Sequence, residues 1–401
     1  MIAPNPFTPK SGWEPKVFVG RDKEIELFKR KLEEAKQGRC DHFLILGEWG
    51  IGKTSLLKEF KKIAQEKGYL ASLITVGEYT ENSNFNDGVK QLVEEIPQRF
   101  PADFTKFKEL TQQLNGLGVQ VLGTGFNLSR VIQEWQPQTF LFNFLKILWK
   151  DLQKETKVAV VLLDDVQNFA PISGIFTILK NVLSDEEMVK NTKFLFVLSS
   201  TPKGWDQFLE LHHPIGRYFT PRLELERLNK KRTFEALNKI LKGTGVDFSE
   251  NIKEKIYEYT KGHPYELQVL CSKLCDNQIE GKATDKEWDI SLNDALREVG
   301  KNVFDILYSK TSKQERIILY LLSLVTSPIE RKEILSLCKK YNLENRFNFK
   351  FPENIISTIL YRLLNKCLLI KLEKNSYSLP DRFFGEYIVR IKGYNGEGDK
   401  I

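Results

Sequence analysis

Residues Gly47-Glu-Trp49-Gly50-Ile51-Gly52-Lys53-Thr54 satisfy the spacing GxxxxGK[ST], with Ser55 following. The spacing matters because of what surrounds it: a short apolar run, Phe43 to Leu46, enters it, and a helix-prone segment leaves it. Glycines let the backbone wrap a phosphate so that several N–H groups point inward, and the helix start adds partial positive charge. In such a cradle Lys53 reaches the β- and γ-phosphates and Thr54 turns its hydroxyl oxygen to Mg²⁺. A second element of the same chemistry is "VVLLDD", where an apolar run ends in two carboxylates. Asp164 is the metal-side carboxylate; Asp165 points differently and orients or deprotonates the attacking water, since phosphoryl transfer is mostly positioning and charge stabilisation. The plainer reading of the pair is a strand-end cap.

Two further groups are candidates. "FLFVLSS" ends in Ser199 and Ser200, hydroxyls placed either to sense the γ-phosphate or simply to mark where a strand leaves the core. Arg217, in "HHPIGRYF", follows that strand on a loop where a cation meets the γ-phosphate.

The elements that must position these residues follow from periodicity. "KVFVGRDKEIELFKRKLEEAKQG" reads as a short strand or turn at Val17 to Gly20 and then a helix with Ile25, Leu27, Phe28 and Leu32 at helical spacing. The runs "FLIL", "YLASLITV", "KVAVVLL" and "KFLFVLSS" alternate with helical segments, and a short strand is expected near "RYFTPRLEL". Strands apolar along their length, alternating with helices, predict an α/β P-loop core: a parallel sheet with helices on both faces. Residues 101–135 carry "NGLGVQVLGTGFNLS", which suggests a hairpin or ribbon inserted into this core. Its glycines do not follow GxGxxG, so a dinucleotide site is a poor reading.

From about Leu228 the strand signal stops, and four segments predict a helical lid: "NKKRTFEALNKILKG", "SENIKEKIYEYTKG", "HPYELQVLCSKLCDNQ" and "DKEWDISLNDALREV". After Lys310, three helices followed by the short strands "LLIKLEK" and "SYSLP" have the layout of a winged helix. The expected domains are therefore residues 1–227, 228–309 and 310–392.

Composition is consistent with this. At 401 residues, 41% hydrophobic and 28% charged, the chain can bury a substantial core, and its length suits two or three domains. Its apolar runs fall far short of the ~18 residues of a membrane span. The opening "MIAPNPFTPKSGWEPK" lacks a secretory layout, so a cytoplasmic protein is expected. Five cysteines include no CxxC pair; Cys271 and Cys275, four apart on a predicted helix, read as core residues rather than a metal or redox pair. The net charge of +7 permits an acidic partner without requiring one.

Taken together, "VFVGRDKEI", "GEWGIGKTS", "LLDDVQ", "PIGR" and "GHPYELQVL" resemble the STAND-class P-loop ATPases, particularly the AAA-type ATPases abundant in archaea, relatives of the Orc1/Cdc6 initiators and the NB-ARC switches. The resemblance spans roughly residues 5 to 380 in motif order. It implies ATP and ADP as the nucleotides, with Mg²⁺, and hydrolysis that drives a conformational switch; Asp165, one carbon shorter than the glutamate of many AAA+ motors, is expected to make that hydrolysis slow. It also implies that Val17, Phe18, Val19, Gly20 and Arg21, with Gly262, His263 and Pro264, bracket the adenine. Gly-His-Pro equally reads as a helix stop followed by a proline at the first helical position. Two departures stand out. "PYELQVLCSKL" lacks the early arginine that AAA+ initiators use, which favours STAND over Orc1/Cdc6, and the winged-helix region contains no histidine to clamp ADP.

Three functions come into question. In an ATP-driven switch the nucleotide biases the winged helix, with an unknown protein partner or self-association as its target. In an Orc1/Cdc6-like DNA-binding ATPase the winged helix reads a groove, but "ENIISTILYRLLNKC" offers only Arg362 and Lys366 as cations, which suits packing more than groove reading. A fused nuclease lacks clustered carboxylates and lysine at nuclease spacing.

Overall fold

The computed structural model describes residues 4–10, 17–100, 136–211, 215–325, 327–340, 352–372 and 375–393; the insertion expected within 101–135 lies outside the described residues. The chain divides into two units, Arg21–Glu226 and Met1–Gly20 with Arg227–Ile401.

The first unit is built on a five-stranded sheet in the order β2-β3-β4-β1-β5. Every pairing is parallel. The strands are β1 Phe43–Leu46, β2 Leu70–Thr75, β3 Ala159–Asp164, β4 Phe194–Ser200 and β5 Arg222–Glu224. The three central strands are buried at every position, as expected of strands covered on both faces. The edge strand β5, "RLE", carries two exposed charged residues, which suits an edge where unpaired backbone must be kept from further pairing. Helix Lys53–Glu66 buries Leu56, Leu57, Phe60, Ile63 and Ala64, one stripe at helical spacing, and Phe60 stacks on Phe28 of helix Asp22–Lys36 with ring centres 4.1 Å apart. Val17 to Gly20, read from sequence as a strand or turn, forms bends and no strand.

At the entrance to β1 sits a buried histidine. His42 Nδ1 accepts the Phe196 backbone N–H at 3.1 Å, and its ring lies among Phe196, Tyr218 and Phe219. Burial drops its pKa from the ordinary 6.5 to about 4. Because the unfolded chain binds a proton there between those values and the folded unit does not, stability is present above pH 6.5 and falls as pH drops toward 4. The expected loss between pH 7 and pH 5 is about 2 kcal/mol from this group. Urea unfolding of wild type and His42→Gln at both pH values checks it: the variant should lose most of that difference, and an unchanged pH dependence would remove His42 as its source.

The second unit is helical, with a continuous apolar core running from Phe7 to Ile388. Helices Lys230–Leu241, Glu250–Thr260, Pro264–Asn277 and Asp285–Val299 occupy the four segments expected from sequence. Two strands the periodicity missed, β6 Asp247–Phe248 and β7 Lys282–Ala283, pair between them; at two residues each they are too short to show alternation. Cys271 and Cys275 are buried in this core, as the sequence reading had it. The opening segment also belongs here: Phe7 stacks on Phe248, and Asn5 Nδ2 donates to the Ser272 carbonyl at 2.9 Å and Asp276 Oδ1 at 2.7 Å.

Towards the C-terminus lie helices Lys313–Ser323, Arg331–Lys340 and Glu353–Asn365. Beside them is a three-stranded sheet, β8-β10-β9, made of Ile329–Glu330, Ser376–Ser378 and Ile370–Lys371. Both of its pairings are antiparallel, and β8 is a strand the sequence did not reveal. Among the described residues no helix is long and apolar enough to cross a membrane.

Candidate nucleotide-binding site

The loop after β1 has the conformation a phosphate cradle needs. Gly50 and Gly52 adopt left-handed backbone, φ 74° and 98°, which a side chain at either position would strain. A Cβ built on Gly52 would meet nothing within 4 Å, so this face of the loop is open. At Gly47 the opposite holds: a Cβ would lie 2.6 Å from the Ile51 side chain, so the loop closes on itself there, with Ile51 buried beneath and Trp49 half exposed above. Gly52 is the N-cap of helix Lys53–Glu66, whose first N–H groups have no side-chain cap from it. They are the donors an anion takes up at a helix start.

Lys53 is only 7% exposed. Its Nζ donates to the Gly47 and Glu48 carbonyls, both at 3.1 Å. Burial holds its pKa below the ordinary lysine value, opposed by the attraction of Asp165, Asp164 and Glu48. An ammonium carries three donors, and two are used by the loop itself.

The oxygen cluster lies where β3 and β4 end. Thr54 Oγ1 donates to Asp164 Oδ2 at 2.5 Å, and Ser199 Oγ donates to Asp164 Oδ1. Asp164 is buried, which pushes its pKa up, against the pull of the Ser199 and Thr54 hydrogen bonds. Beside it, Asp165 has left-handed backbone, φ 56°, and its N–H lies 3.1 Å from Asp164 Oδ1 and 3.2 Å from Ser199 Oγ. The consecutive carboxylates have different partners, Thr54 and Ser199 on Asp164 and Gln167 on Asp165. Ser200 instead turns its hydroxyl to the Thr201 carbonyl, while its own carbonyl accepts the Gly47 N–H. Ser55, the third residue of the helix, is partly exposed beside Thr54.

This donor set fits Mg²⁺. A hydroxyl and a carboxylate are hard oxygen ligands, and Mg²⁺ takes one or two protein oxygens with the rest of its shell from water and phosphate. Among the described residues no cluster of three His, Cys, Asp or Glu offers an all-protein metal cage.

The segments assigned to adenine are placed as follows. Arg21 is buried and its Nη2 donates to the Ile51 carbonyl at 3.0 Å, so it braces the cradle from behind. Val17, Phe18, Val19 and Gly20 are partly exposed and belong to the second unit. Within that unit the two motifs meet at a residue the sequence reading passed over, Leu228. A Cβ on Gly20 would lie 2.6 Å from the Leu228 side chain, and one on Gly262 only 1.8 Å from the Leu228 carbonyl. The Leu228 N–H in turn donates to the Gly262 carbonyl at 3.0 Å. Gly262 thus stops one helix in left-handed backbone, His263 caps the next through Nδ1, and Pro264 takes its first position.

Arg217 is not brought to the cradle within the first unit. Strand β5 runs parallel to β1 with Arg222 opposite Leu44 and Glu224 opposite Leu46, so residues before β5 lie at the entrance of β1 rather than at its phosphate end. Consistent with that, Tyr218 packs against His42, just before β1, and Arg217 is exposed. The sequence expectation that Arg217 meets the γ-phosphate rested on chain order; the register of β5 puts it at the end of the strands away from the cradle.

Comparison with known proteins agrees with this geometry. Residues 17–192 match the family described as an AAA ATPase domain. The chain is 21% identical over 333 residues to an uncharacterized HTH-type transcriptional regulator, MJ0774, of Methanocaldococcus jannaschii, covering 78% of this chain and 77% of that one. Among solved structures it is similar to the Walker-type ATPase PABY2304 of Pyrococcus abyssi, with TM-score 0.60 and 18% identity over 96% of this chain and 99% of that one. It is also similar to the ORC2 protein of Aeropyrum pernix in its ADPNP-ADP complexes, with TM-score 0.61 and 15% identity over 96% of each chain. The segment that holds Lys53, Thr54 and Asp164 accordingly matches an AAA ATPase domain, in a chain that shares the fold of the archaeal Walker-type and ORC2 ATPases.

Proposed function

We propose that the chain is a Mg²⁺-dependent ATPase of the STAND type, hydrolysing ATP slowly so that each nucleotide state lasts long enough to act as a switch of core, lid and winged helix. The observation that carries this is the joining of Thr54 and Ser199 on Asp164, with Asp165 turned aside. Thr54 and Asp164 would hold Mg²⁺, which neutralises phosphate charge and aligns the γ-phosphate when bound. The cradle N–H groups and Lys53 hold the β- and γ-phosphates, Ser199 keeps Asp164 oriented, and Asp165 accepts the proton of the attacking water. The adenine is selected by Val17 to Arg21 together with His263 and Pro264. In this reading the core is Arg21–Glu226, the opening residues of the expected 1–227 stand with the helical unit, and residues 228–309 and 310–392 are lid and winged helix, with an unidentified protein or a second copy as the target.

The alternative is a DNA-binding ATPase of the Orc1/Cdc6 kind. In its favour are the three helices with their antiparallel ribbon and the HTH-type designation of the Methanocaldococcus relative. Against it, Lys366, one of two cations near the end of helix Glu353–Asn365, is engaged inside the unit, donating to the Lys310 carbonyl at 2.8 Å and Glu315 at 2.7 Å. Arg362 alone is left exposed from that pair. One experiment separates the readings: Mg²⁺-dependent phosphate release with ATP, with GTP as competitor, and with or without duplex DNA at fixed salt. The expected result is slow ATP turnover, weak competition by GTP and no response to DNA. Equal competition by GTP would sink the adenine assignment, and a several-fold DNA stimulation would favour the alternative.

A further inference from the structure

We infer that Gln167 is a positioning residue for Asp165: its carboxamide ties the Asp165 carboxylate to the backbone at the end of β4 and so fixes the direction in which that carboxylate meets the attacking water. The inference rests on the reading of Asp165 as the proton acceptor.

Asp165 is held at its main chain by Asp164 and Ser199, but an aspartate side chain on a partly exposed turn still has two torsions to settle. Gln167 settles them. Its Nε2 donates to Asp165 Oδ1 at 2.8 Å, and its Oε1 accepts the Thr201 N–H at 3.2 Å. Thr201 directly follows Ser199 and Ser200, so the bridge runs from the hydroxyl-bearing end of β4 to the carboxylate.

The bridge is itself supported. The turn Val166–Ile172 is pinned on its other side by Asn168, whose Nδ2 donates to the Val76 carbonyl at 2.9 Å beyond β2. Gly204 allows the next helix to lie against Gln167, since a Cβ there would come within 2.4 Å of the Gln167 Cβ. Only an amide does this work, because it offers a donor and an acceptor at one end. Glutamate at 167 presents acceptors alone and sets a second negative charge against Asp165; leucine offers neither. A carboxylate locked by such a neighbour is pre-organised for proton transfer, and losing the lock acts on turnover rather than on nucleotide affinity.

The test is steady-state Mg-ATP hydrolysis and ATP binding by the full chain carrying Gln167→Leu, Gln167→Glu, Asp165→Asn, or Gln167→Leu combined with Asp165→Asn. Gln167→Leu is expected to lower kcat about tenfold with KM and ATP affinity within twofold of wild type, and Gln167→Glu to lower kcat at least as far. The double variant should be no slower than Asp165→Asn, because Gln167 acts only through that carboxylate. Wild-type or faster turnover in both Gln167 variants, while Asp165→Asn is impaired, would overturn the inference and leave the function standing. So would parallel losses in kcat and affinity, which mark a purely structural role. Wild-type turnover in Asp165→Asn would overturn the catalytic reading itself, and the inference with it. Should Gln167→Leu fail to fold, Gln167→Glu, of nearly the same shape, decides.

Discussion

Lys53→Ala is expected to weaken Mg-ATP binding by about a hundredfold, beyond reach of ordinary calorimetric titration. The ammonium is the point charge the loop itself supplies, and a hydrogen bond between charged groups contributes about 1.5–3 kcal/mol. The position magnifies this. Lys53 is nearly buried and already anchored by the Gly47 and Glu48 carbonyls, so in the proposed cradle its charge is placed for the phosphates without an ordering cost at binding. Alanine also leaves those two carbonyls without their donor, so a melting curve should accompany the titration to show that the unit stays folded. Arginine is no conservative control here: its longer, planar fork has a different shape and donor geometry from the single ammonium that these carbonyls hold. Undiminished affinity in a folded Lys53→Ala protein would show that the loop is no phosphate cradle.

Asp165→Asn is expected to keep Mg-ATP affinity within about twofold yet lower turnover by about two orders of magnitude, the usual contribution of a positioned general base. The amide keeps the shape, and its Oδ1 still accepts from Gln167, but it takes no proton. Asp164→Asn should fail differently. The Thr54 and Ser199 hydroxyls can still bond an amide, so folding survives, but the negative charge beside Mg²⁺ is gone and the defect should shrink as Mg²⁺ is raised. Asp165→Glu adds a methylene and should speed turnover if reach is what makes the wild type slow. Hydrolysis at the wild-type rate by Asp165→Asn would reduce the second aspartate to a strand-end residue.

The sequence alone determined what is contiguous along the chain. A strand, a Gly-rich turn and a helix start in one run of residues already specify the cradle, because its donors come from neighbouring peptide units. Six apolar residues before Asp164 likewise announce a buried strand with a carboxylate at its end, and Gly262-His263-Pro264 announce a helix stop and a new start. What only the tertiary structure decided is who stands beside whom. The placing of β4 between β1 and β3 brings Ser199 onto Asp164, and sheet order leaves no trace in periodicity, since any of these apolar strands fits any central slot. The register of β5 takes Arg217 to the strand ends away from the cradle, although in sequence it follows β4, which ends in Ser199 and Ser200. Leu228 joins Gly20 to Gly262, its side chain against the first and its backbone against the second, contacts that its apolar type does not announce in the sequence. Gln167 gained its role the same way: its type says only that it can donate and accept, and it is the folding of two strand ends to within hydrogen-bond distance that decides what it donates to and accepts from.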